Sequence, residues 1–357
     1  MDSGAVTTTA AALLARGDGR LRAFTSVPVF DPGPYQGRTL GDELPLAGAT
    51  ARSAANIDLV AVPGDRLTPV QAIRRSLAIT EEPAHSAASL YWILAVLEAA
   101  REQCCEVLLT GQMGNGGISW SGDPLSQPLA YQLRTLHLLG LVRARAGRVV
   151  PPALHAVRAR RALDPQWCRA SAINPAFARR LDLANRRLDD PGELPGRTPR
   201  EQRLGILKPG RSSSGATWAE FGSAFGLEVR DPTADARLLT FCLSVPDRVF
   251  IDPVTGVDRW LIREAMKGRL PDEVRLNRRR GLQAADLIPR LRASGGEVDR
   301  ALEELAAGAA TDYVDVAYMA DVWRMIQVED TPEALRKAVS VLTRGMMAGL
   351  FVNGLAA

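Results

Sequence analysis

Short apolar runs alternate with helical patterns over the first third of the chain. Apolar runs bounded by Gly, Pro or charged residues predict strands at residues 21–29, 57–62 and 106–110. Helical spacing between them predicts helices at residues 4–16, 41–55, 69–78 and 87–102, with Asp2 or Ser3 as the N-cap of the first. This alternation favours an α/β fold, a parallel sheet with flanking helices that binds ligands beyond the carboxyl ends of its strands.

After residue 124 the pattern becomes mainly helical. Helices are predicted at residues 129–143, 154–163, 177–188, 218–225, 235–244, 258–267, 297–307 and 332–350, with a polar Gly, Pro and Ser-rich run at 189–215. We therefore expect one unit over 1–357, in which an α/β nucleotide-binding part (1–124) is completed by a helical part (125–357).

Composition narrows the function classes. The net charge of +4 and the absence of interleaved aromatic residues argue against a nucleic-acid partner. No apolar run reaches the roughly 20 residues of a membrane helix, so no membrane partner is expected. The 4 cysteines lack zinc-site spacing, which favours a reduced, cytoplasmic setting. The 3 histidines are scattered and form no catalytic constellation.

The most informative segment is Gly-Leu-Glu-Val-Arg-Asp-Pro-Thr-Ala-Asp at 226–235, followed by Val-Pro-Asp at 245–247. It resembles the adenylating domain of the asparagine synthase family, whose pattern is Gly-x-Glu-x-Arg-x-Pro-x-x-Asp followed by a helix and a Pro turn. The resemblance covers nearly the whole chain and is weaker at about 125–215. It implies an AMP-forming amide ligase that uses ATP and Mg²⁺ to adenylate a carboxylate.

The resemblance also implies a phosphate-binding loop, Ser-Gly-Gly-x-Asp-Ser, at the start of the first helix. Asp2 and Ser3 match its last two residues, whereas the Ser-Gly-Gly and the preceding strand have no counterpart. We expect Met1 to be an internal residue of a longer protein, and the absence of a central strand to leave strand edges exposed and solubility poor. Asp2 is the predicted metal ligand, and Asp2, Ser3, Thr25 and Ser26 are predicted to bind ATP. The alternative is a plain helix N-cap.

A second motif follows the strand at 106–110. The family has Leu-x-Gly-x-Gly-x-Asp-Glu here, and this chain supplies Gly111, Gly114 and Asn115 as predicted ATP-binding residues. Asn115 replaces the metal-binding aspartate, and an amide is a weaker Mg²⁺ ligand than a carboxylate. Gln112 occupies the position of the acid–base residue and cannot titrate. The alternative is a glycine-rich surface turn.

Substrate contacts are predicted in two further segments. The resemblance implies that Glu228 and Arg230 lie in a buried turn that shapes the substrate side of the cleft, while Pro232 and Asp235 fix the next helix. The basic loop at 277–286 contains Arg278 and Arg280. Arg280 matches a family lysine that stabilises pyrophosphate, and Arg278 is a predicted substrate contact. The loop is most similar to lasso-peptide cyclases; the alternatives are a solvated basic turn and a nucleic-acid patch.

Two functions from different classes follow. The first is the amide ligase, acting on a small-molecule or peptide carboxylate. Its amine comes from a glutaminase domain upstream or from the substrate itself, which would give a macrolactam. The second is a degenerate, non-catalytic relative that serves as a binding subunit, favoured by Asn115, Gln112 and the missing glycines.

Overall fold

The computed structural model describes residues 1–149, 170–183, 198–208, 210 and 212–356. The predicted helix at 154–163 and the second half of the one at 177–188 lie outside these residues. Within the described residues the chain is a mixed α/β protein dominated by helices, as the sequence predicts.

The strands form two parallel pairs. Strand β1 (Leu21–Ser26) pairs with β2 (Ile57–Val62), and β3 (Val107–Leu109) pairs with β4 (Glu228–Arg230). The first three match predicted strands, whereas β4 lies in a segment for which no strand was predicted. The parallel pairing and the flanking helices confirm the fold class, although the described strands form two sheets of two rather than one sheet.

Each pair has an open edge. The Leu21 N–H donates to Asn56 O and the Val27 N–H to Val62 O, so alternate residues of β1 face β2. The main-chain groups of Arg22, Phe24 and Ser26 therefore point to the other edge, where the described residues provide no hydrogen-bond partner. In β3 the same holds for Val107 and Leu109, whose side chains are 48% and 38% exposed.

The helices of the first 124 residues are α1 (Asp2–Leu14), α2 (Gly33–Gln36), α3 (Leu44–Arg52), α4 (Pro69–Thr80) and α5 (Leu90–Glu102). Helix α4 begins with a capping box in which Thr68 and Gln71 satisfy each other's main-chain N–H groups. The predicted N-cap of α1 was wrong: Met1 is the N-cap, and Asp2 lies in the first turn. There its carboxylate faces the positive end of the helix dipole.

The second part of the chain adds helices α6–α17. They are α6 (Leu129–Val149), α7 (Pro175–Arg180), α8 (Pro199–Leu207), α9 (Ser214–Ala224), α10 (Ala236–Ser244), α11 (Trp260–Ala265), α12 (Asp272–Arg275), α13 (Leu287–Ala293), α14 (Gly295–Ala307), α15 (Val316–Met325), α16 (Pro332–Lys337) and α17 (Arg344–Ala356). A π-helical segment, Ala338–Thr343, joins α16 to α17. Helix α6 is interrupted at His137, which has a left-handed φ of 55°.

Both parts of the chain contribute to the main hydrophobic core. Ile73 and Leu97 from α4 and α5 belong to the same fully buried cluster as Leu291, Leu305 and Leu342. The helical part therefore packs directly on α4 and α5, the helices that flank β1 and β2. This packing holds the carboxyl ends of the two strands in place.

One helical stretch, Pro332–Ala356, is long and apolar enough to cross a membrane by length and composition. Half of its most apolar window is buried inside the protein, and Leu342 and Met346 are fully buried in the core. The stretch therefore has the features of a core helix, although the sequence pattern indicated no apolar run of that length.

Candidate functional site

The first turn of α1 lies against the loop that follows β3. A Cβ atom added at Gly114 would lie 2.6 Å from Asp2 Cγ, and one added at Gly111 would lie 2.9 Å from Ser3 N. Only glycine permits this approach. Asp2 Oδ1 is buried and has no hydrogen-bond partner. A buried, unpartnered carboxylate oxygen is costly unless a cation occupies the space beside it. The structure thus brings together the predicted residues Asp2, Ser3, Gly111 and Gly114.

The loop itself folds as a 3₁₀ turn, Gln112–Gly116, and Asp231, the residue after β4, holds it in place. The Met113 N–H donates to Asp231 Oδ2 at 2.8 Å, and the Thr233 N–H donates to Asp231 Oδ1 at 2.9 Å. Asp231 therefore fixes the loop that faces Asp2, although sequence reasoning assigned it no role. An aspartate directly before Pro232 is the available signal, because such residues accept hydrogen bonds from nearby main-chain N–H groups.

Asn115 is bound by an arginine that sequence reasoning also missed. Arg259 has a left-handed φ of 55° at the start of α11, and its Nη2 donates to Asn115 Oδ1 at 2.9 Å. Left-handed backbone in a non-glycine residue is uncommon and concentrates at functional sites. The sequence signal for Arg259 is its place within residues 258–266, which resemble the family's Lys-x-x-Leu-Arg-x-Ala helix and put Arg259 at the position of the lysine.

Arg259 belongs to a cluster of arginines. Arg263 is buried, and its guanidinium donates to the main-chain oxygens of Asp258 and Asn277 at 2.8 and 3.0 Å. Burial lowers the pKa of Arg263, and the nearby charges of Arg259 and Arg278 lower it further, while Asp258 opposes them. Arg259 and Arg278 thus both lie near Arg263, and Arg278 comes directly after Asn277, whose main-chain oxygen Arg263 binds.

The predicted catalytic Arg280 lies in a loop held by its main chain. The Leu40 N–H donates to Arg280 O at 2.8 Å, and the Leu282 N–H donates to Leu40 O at 2.7 Å. Arg279 donates to the main-chain oxygen of Thr39. The side chains of Arg278, Arg279 and Arg280 are all exposed. The loop is thus rigid at its backbone and presents cations to solvent; the catalytic role of Arg280 stays a prediction.

A buried charged network ties the end of this loop to the strand ends. Asp286 is 2% exposed and accepts from the Val29 N–H at 2.7 Å, the Tyr91 hydroxyl at 2.8 Å and Arg290 Nε at 2.9 Å. Arg290 also donates to the main-chain oxygen of Gly64, in the loop after β2. Burial raises the pKa of Tyr91, and the charge of Asp286 raises it further. Asp286 thereby couples the basic loop to the loops that follow β1 and β2.

Thr25 and Ser26 are the last two residues of β1 and are half-buried. Their place at a strand carboxyl end is the one expected of ligand contacts in a parallel sheet. Contact with ATP remains a prediction for both. Gln112 is exposed at the start of the 3₁₀ turn, and its catalytic role likewise remains a prediction.

The expected position of Glu228 and Arg230 was wrong. They lie in β4 rather than in a buried turn, both are exposed, and the Arg230 guanidinium forms an ion pair with Glu228. Side chains alternate along a strand, so Val229 packs on the core while its two neighbours face away. The prediction for Asp235 is confirmed: it caps α10 by accepting from the Arg237 N–H at 2.8 Å.

No group of three His, Cys, Asp or Glu side chains that could hold a metal occurs in the described ranges. Mg²⁺ is commonly held by one or two carboxylates together with the phosphates of its nucleotide. The buried oxygen of Asp2, the glycine backbone beside it and the α1 N-terminus fit such a phosphate-bound Mg²⁺ ion.

Comparison with known proteins places the chain. No curated protein matches it. The family model described as asparagine synthase matches residues 1–349. That match covers most of the 357 residues, including the Asp2 turn, the 3₁₀ loop and the arginine cluster. The chain therefore belongs to the asparagine synthase family and carries a synthetase-type ligase domain.

Proposed function

We propose that the protein is an ATP-dependent, AMP-forming amide ligase. A carboxylate oxygen of the substrate attacks the α-phosphorus of ATP, the bond to the β-phosphate oxygen breaks, and pyrophosphate leaves. An amine then attacks the acyl carbon, loses a proton and displaces AMP. The observation that carries this proposal is the unpartnered carboxylate oxygen of Asp2, set against two obligatory glycines and close to a loop bound by Arg259.

On the nucleotide side, Asp2 would hold Mg²⁺ bound to the phosphates. Gly111 and Gly114 let the loop after β3 lie directly against Asp2 and Ser3, and the N-terminus of α1 beside this loop would face the phosphates. Bound Mg²⁺ would neutralise phosphate charge. Asp231 maintains this geometry because it holds the Met113 N–H and therefore the position of the whole loop.

On the leaving-group side, arginines supply positive charge. Arg278 and Arg280 are exposed in a loop with a fixed backbone, and Arg259 reaches Asn115 directly. Cations positioned where charge develops stabilise a transition state without reorganisation during the reaction. Arginine cannot release a proton at neutral pH, and neither can Gln112. These residues therefore position the reactants and stabilise the negative charge that develops on the phosphates. The proton of the attacking amine passes to another base.

The origin of the amine separates two versions of this function. In the first, ammonia comes from a glutaminase domain upstream in the same protein or from a partner carrying one. In the second, the amine belongs to a peptide substrate and the product is a macrolactam, as the similarity of the basic loop to lasso-peptide cyclases favours. We place either version in the cytoplasm, where ATP is available.

A second candidate function is nucleotide binding without catalysis. The neutral Asn115 and Gln112 favour it, because neither side chain is an anionic metal ligand or a titrating acid–base group. Such a protein would bind Mg-ATP and present the complex to a partner. The two candidates predict the same ligand and differ in whether the α-phosphorus reacts.

Carboxylate-dependent exchange of radiolabelled pyrophosphate into ATP tests the proposal. Exchange is expected in the presence of Mg²⁺ and a pool of carboxylic acids and peptides, and Arg280→Ala should abolish it without lowering the unfolding temperature. The matched control Arg324→Ala removes an exposed arginine that pairs with Asp321 and should leave exchange unchanged. Mg-ATP binding without exchange would favour the non-catalytic function, and a fully active Arg280→Ala variant would show that the loop has no catalytic role.

A further inference from the structure

Helix α8 buries an arginine whose hydrogen-bonding capacity is only partly used. Arg203 is 1% exposed, and its Nε and Nη2 atoms are buried without a hydrogen-bond partner. Asp247 Oδ1 lies 4.0 Å from Nη1, on the opposite edge of the guanidinium. A buried, incompletely paired cation is destabilising unless another group completes its hydrogen bonds. Burial accordingly lowers the pKa of Arg203, although Asp247 opposes this shift.

The unpaired edge has a specific geometry. Nε and Nη2 lie on one side of the planar guanidinium and donate two parallel hydrogen bonds, which match the two oxygens of one carboxylate. The rings of Phe250 and Trp120 lie 4.8 and 6.0 Å from the guanidinium carbon and hold the group by cation–π attraction. Their apolar walls would exclude water from a bound anion.

Two consecutive residues, one of which approaches this cation, also have unpaired donors. Trp120 Nε1 and Ser119 Oγ are buried and have no hydrogen-bond partner. Trp120 is the residue whose ring approaches Arg203, and Ser119 precedes it in the chain. Trp120 and its neighbour Ser119 thus add unsatisfied donors to those of Arg203, and a carboxylate supplies acceptor oxygens of the kind that these donors lack.

The region adjoins the proposed nucleotide loop without forming part of it. A Cβ atom at Gly116 would lie 3.2 Å from Leu207 Cδ2, so α8 packs against the end of the 3₁₀ turn. Asp247 already offsets part of the charge of Arg203. The remaining charge suits a monoanion better than a phosphate that carries about two negative charges at neutral pH.

We propose that Arg203, Trp120 and Ser119 form a buried binding site for a carboxylate group. The group is distinct from the one activated for amide formation, because a carboxylate whose two oxygens are both bound to a buried arginine is a poor nucleophile toward phosphorus. It belongs either to a second acid group of the acyl substrate or to a free small carboxylate. Binding is measured directly, so the site can fail or hold independently of the ligase proposal.

The test uses acetate as the probe and thermal unfolding of the full chain as the readout. Acetate should raise the unfolding temperature saturably, as mass action requires for a ligand of the native state. Chloride and sulfate at equal ionic strength should have smaller effects. Arg203→Lys keeps the positive charge but lacks the two parallel N–H donors of the guanidinium, so acetate affinity should fall about tenfold or more. The control Arg324→Met removes one partner of the exposed ion pair with Asp321. Acetate should raise its unfolding temperature as much as that of the unmodified protein.

A second variant covers the possibility that changes at Arg203 prevent folding. Trp120→Phe keeps an aromatic ring beside Arg203 but removes the N–H donor, and it should weaken acetate binding severalfold. Unchanged acetate affinity in both Arg203→Lys and Trp120→Phe would overturn the proposal, as would an equal response to chloride or sulfate, which indicates an adventitious ion only. Competition between acetate and the substrate in the exchange assay would assign the site to the substrate; non-competitive behaviour would assign it to a free carboxylate.

Discussion

Arg259 Nη2 donates a hydrogen bond to Asn115 Oδ1 at 2.9 Å, joining residues that are 144 positions apart in the chain. Asn115 stands where the family resemblance places a metal-binding aspartate. A neutral amide satisfies the arginine without neutralising it, whereas an aspartate would form an ion pair. The exchange of Asp for Asn therefore leaves one more positive charge beside the proposed phosphate site.

This relationship predicts the effect of Asn115→Asp. A carboxylate in the loop would add a hard anionic ligand near Asp2, and Mg²⁺ affinity in the presence of ATP should rise about tenfold, equivalent to about 1.4 kcal/mol. Arg259 competes for the new charge, so the double variant with Arg259→Ala should bind Mg²⁺ more tightly still. Calorimetric titration of Mg²⁺ at saturating ATP gives both values.

The control for this measurement is Gln103→Glu, which introduces the same charge at an exposed position just after α5. It should leave Mg²⁺ affinity unchanged. An equal rise in both variants would mean that only the net charge matters and that Asn115 does not adjoin the metal.

A second prediction concerns the network around Asp286. Asp286→Asn keeps the shape of the side chain but removes the charge opposite Arg290, which is 6% exposed. Breaking one partner of a buried ion pair costs about 3–5 kcal/mol. The free energy of unfolding, measured by urea titration, should fall by roughly that amount, and the Tyr91 hydroxyl should lose its charged acceptor.

Asp321→Asn is the matched control, because Asp321 pairs with Arg324 at the surface. Exposed pairs contribute about 0–1 kcal/mol, so its loss should be small. Similar losses in the two variants would mean that Asp286 is compensated by other groups and does not anchor the basic loop.

The sequence predicts the longer helices and strands more accurately than the shortest strand. Strand β2 and helix α4 were predicted within two residues because their apolar patterns are regular. Strand β4 has only three residues, which is too short for a periodicity to identify.

The site was predicted at the level of loops rather than of side chains. The glycines at 111 and 114 were predicted to bind ATP, and the structure shows that Asp2 is the group that lies against them. The roles of Asp231 and Arg259 depend on contacts across 118 and 144 residues, and a single sequence contains no local pattern for such pairs. The exposed positions of Glu228 and Arg230 likewise follow from the pairing of β4, which the local sequence does not specify.

Stability should depend on pH through His85. Partial desolvation lowers the pKa of His85, whose side chain remains exposed, and the neighbouring Arg344, whose Nη2 lies 3.2 Å from His85 Nε2, lowers it further. The unfolded chain then binds a proton at higher pH than the folded chain does. Stability from His85 is complete above about pH 6.5, the ordinary pKa of histidine, and is lost as the pH falls toward the lowered folded-state pKa.

His85→Gln should therefore flatten the loss of stability between about pH 6.5 and about pH 5, where most carboxylates are still ionised. Urea titrations at several pH values would show it. Arg344→Gln removes only the electrostatic part of the pKa shift of His85. The slope of the free energy of unfolding against pH should then be intermediate. An unchanged slope in His85→Gln would mean that another group controls stability in this range.

The open edge of β3 predicts self-association. Val107 and Leu109 present exposed apolar side chains and main-chain groups that no described residue pairs, and such an edge favours pairing between molecules. A charged side chain there should oppose it, so Val107→Lys is expected to reduce the fraction of oligomer severalfold in concentration-dependent light scattering. Val328→Lys provides the comparison, because Val328 is 81% exposed but lies outside the strands. If the two lysine variants are equally monodisperse, general surface charge explains the gain; if only Val107→Lys is, association proceeds through the β3 edge.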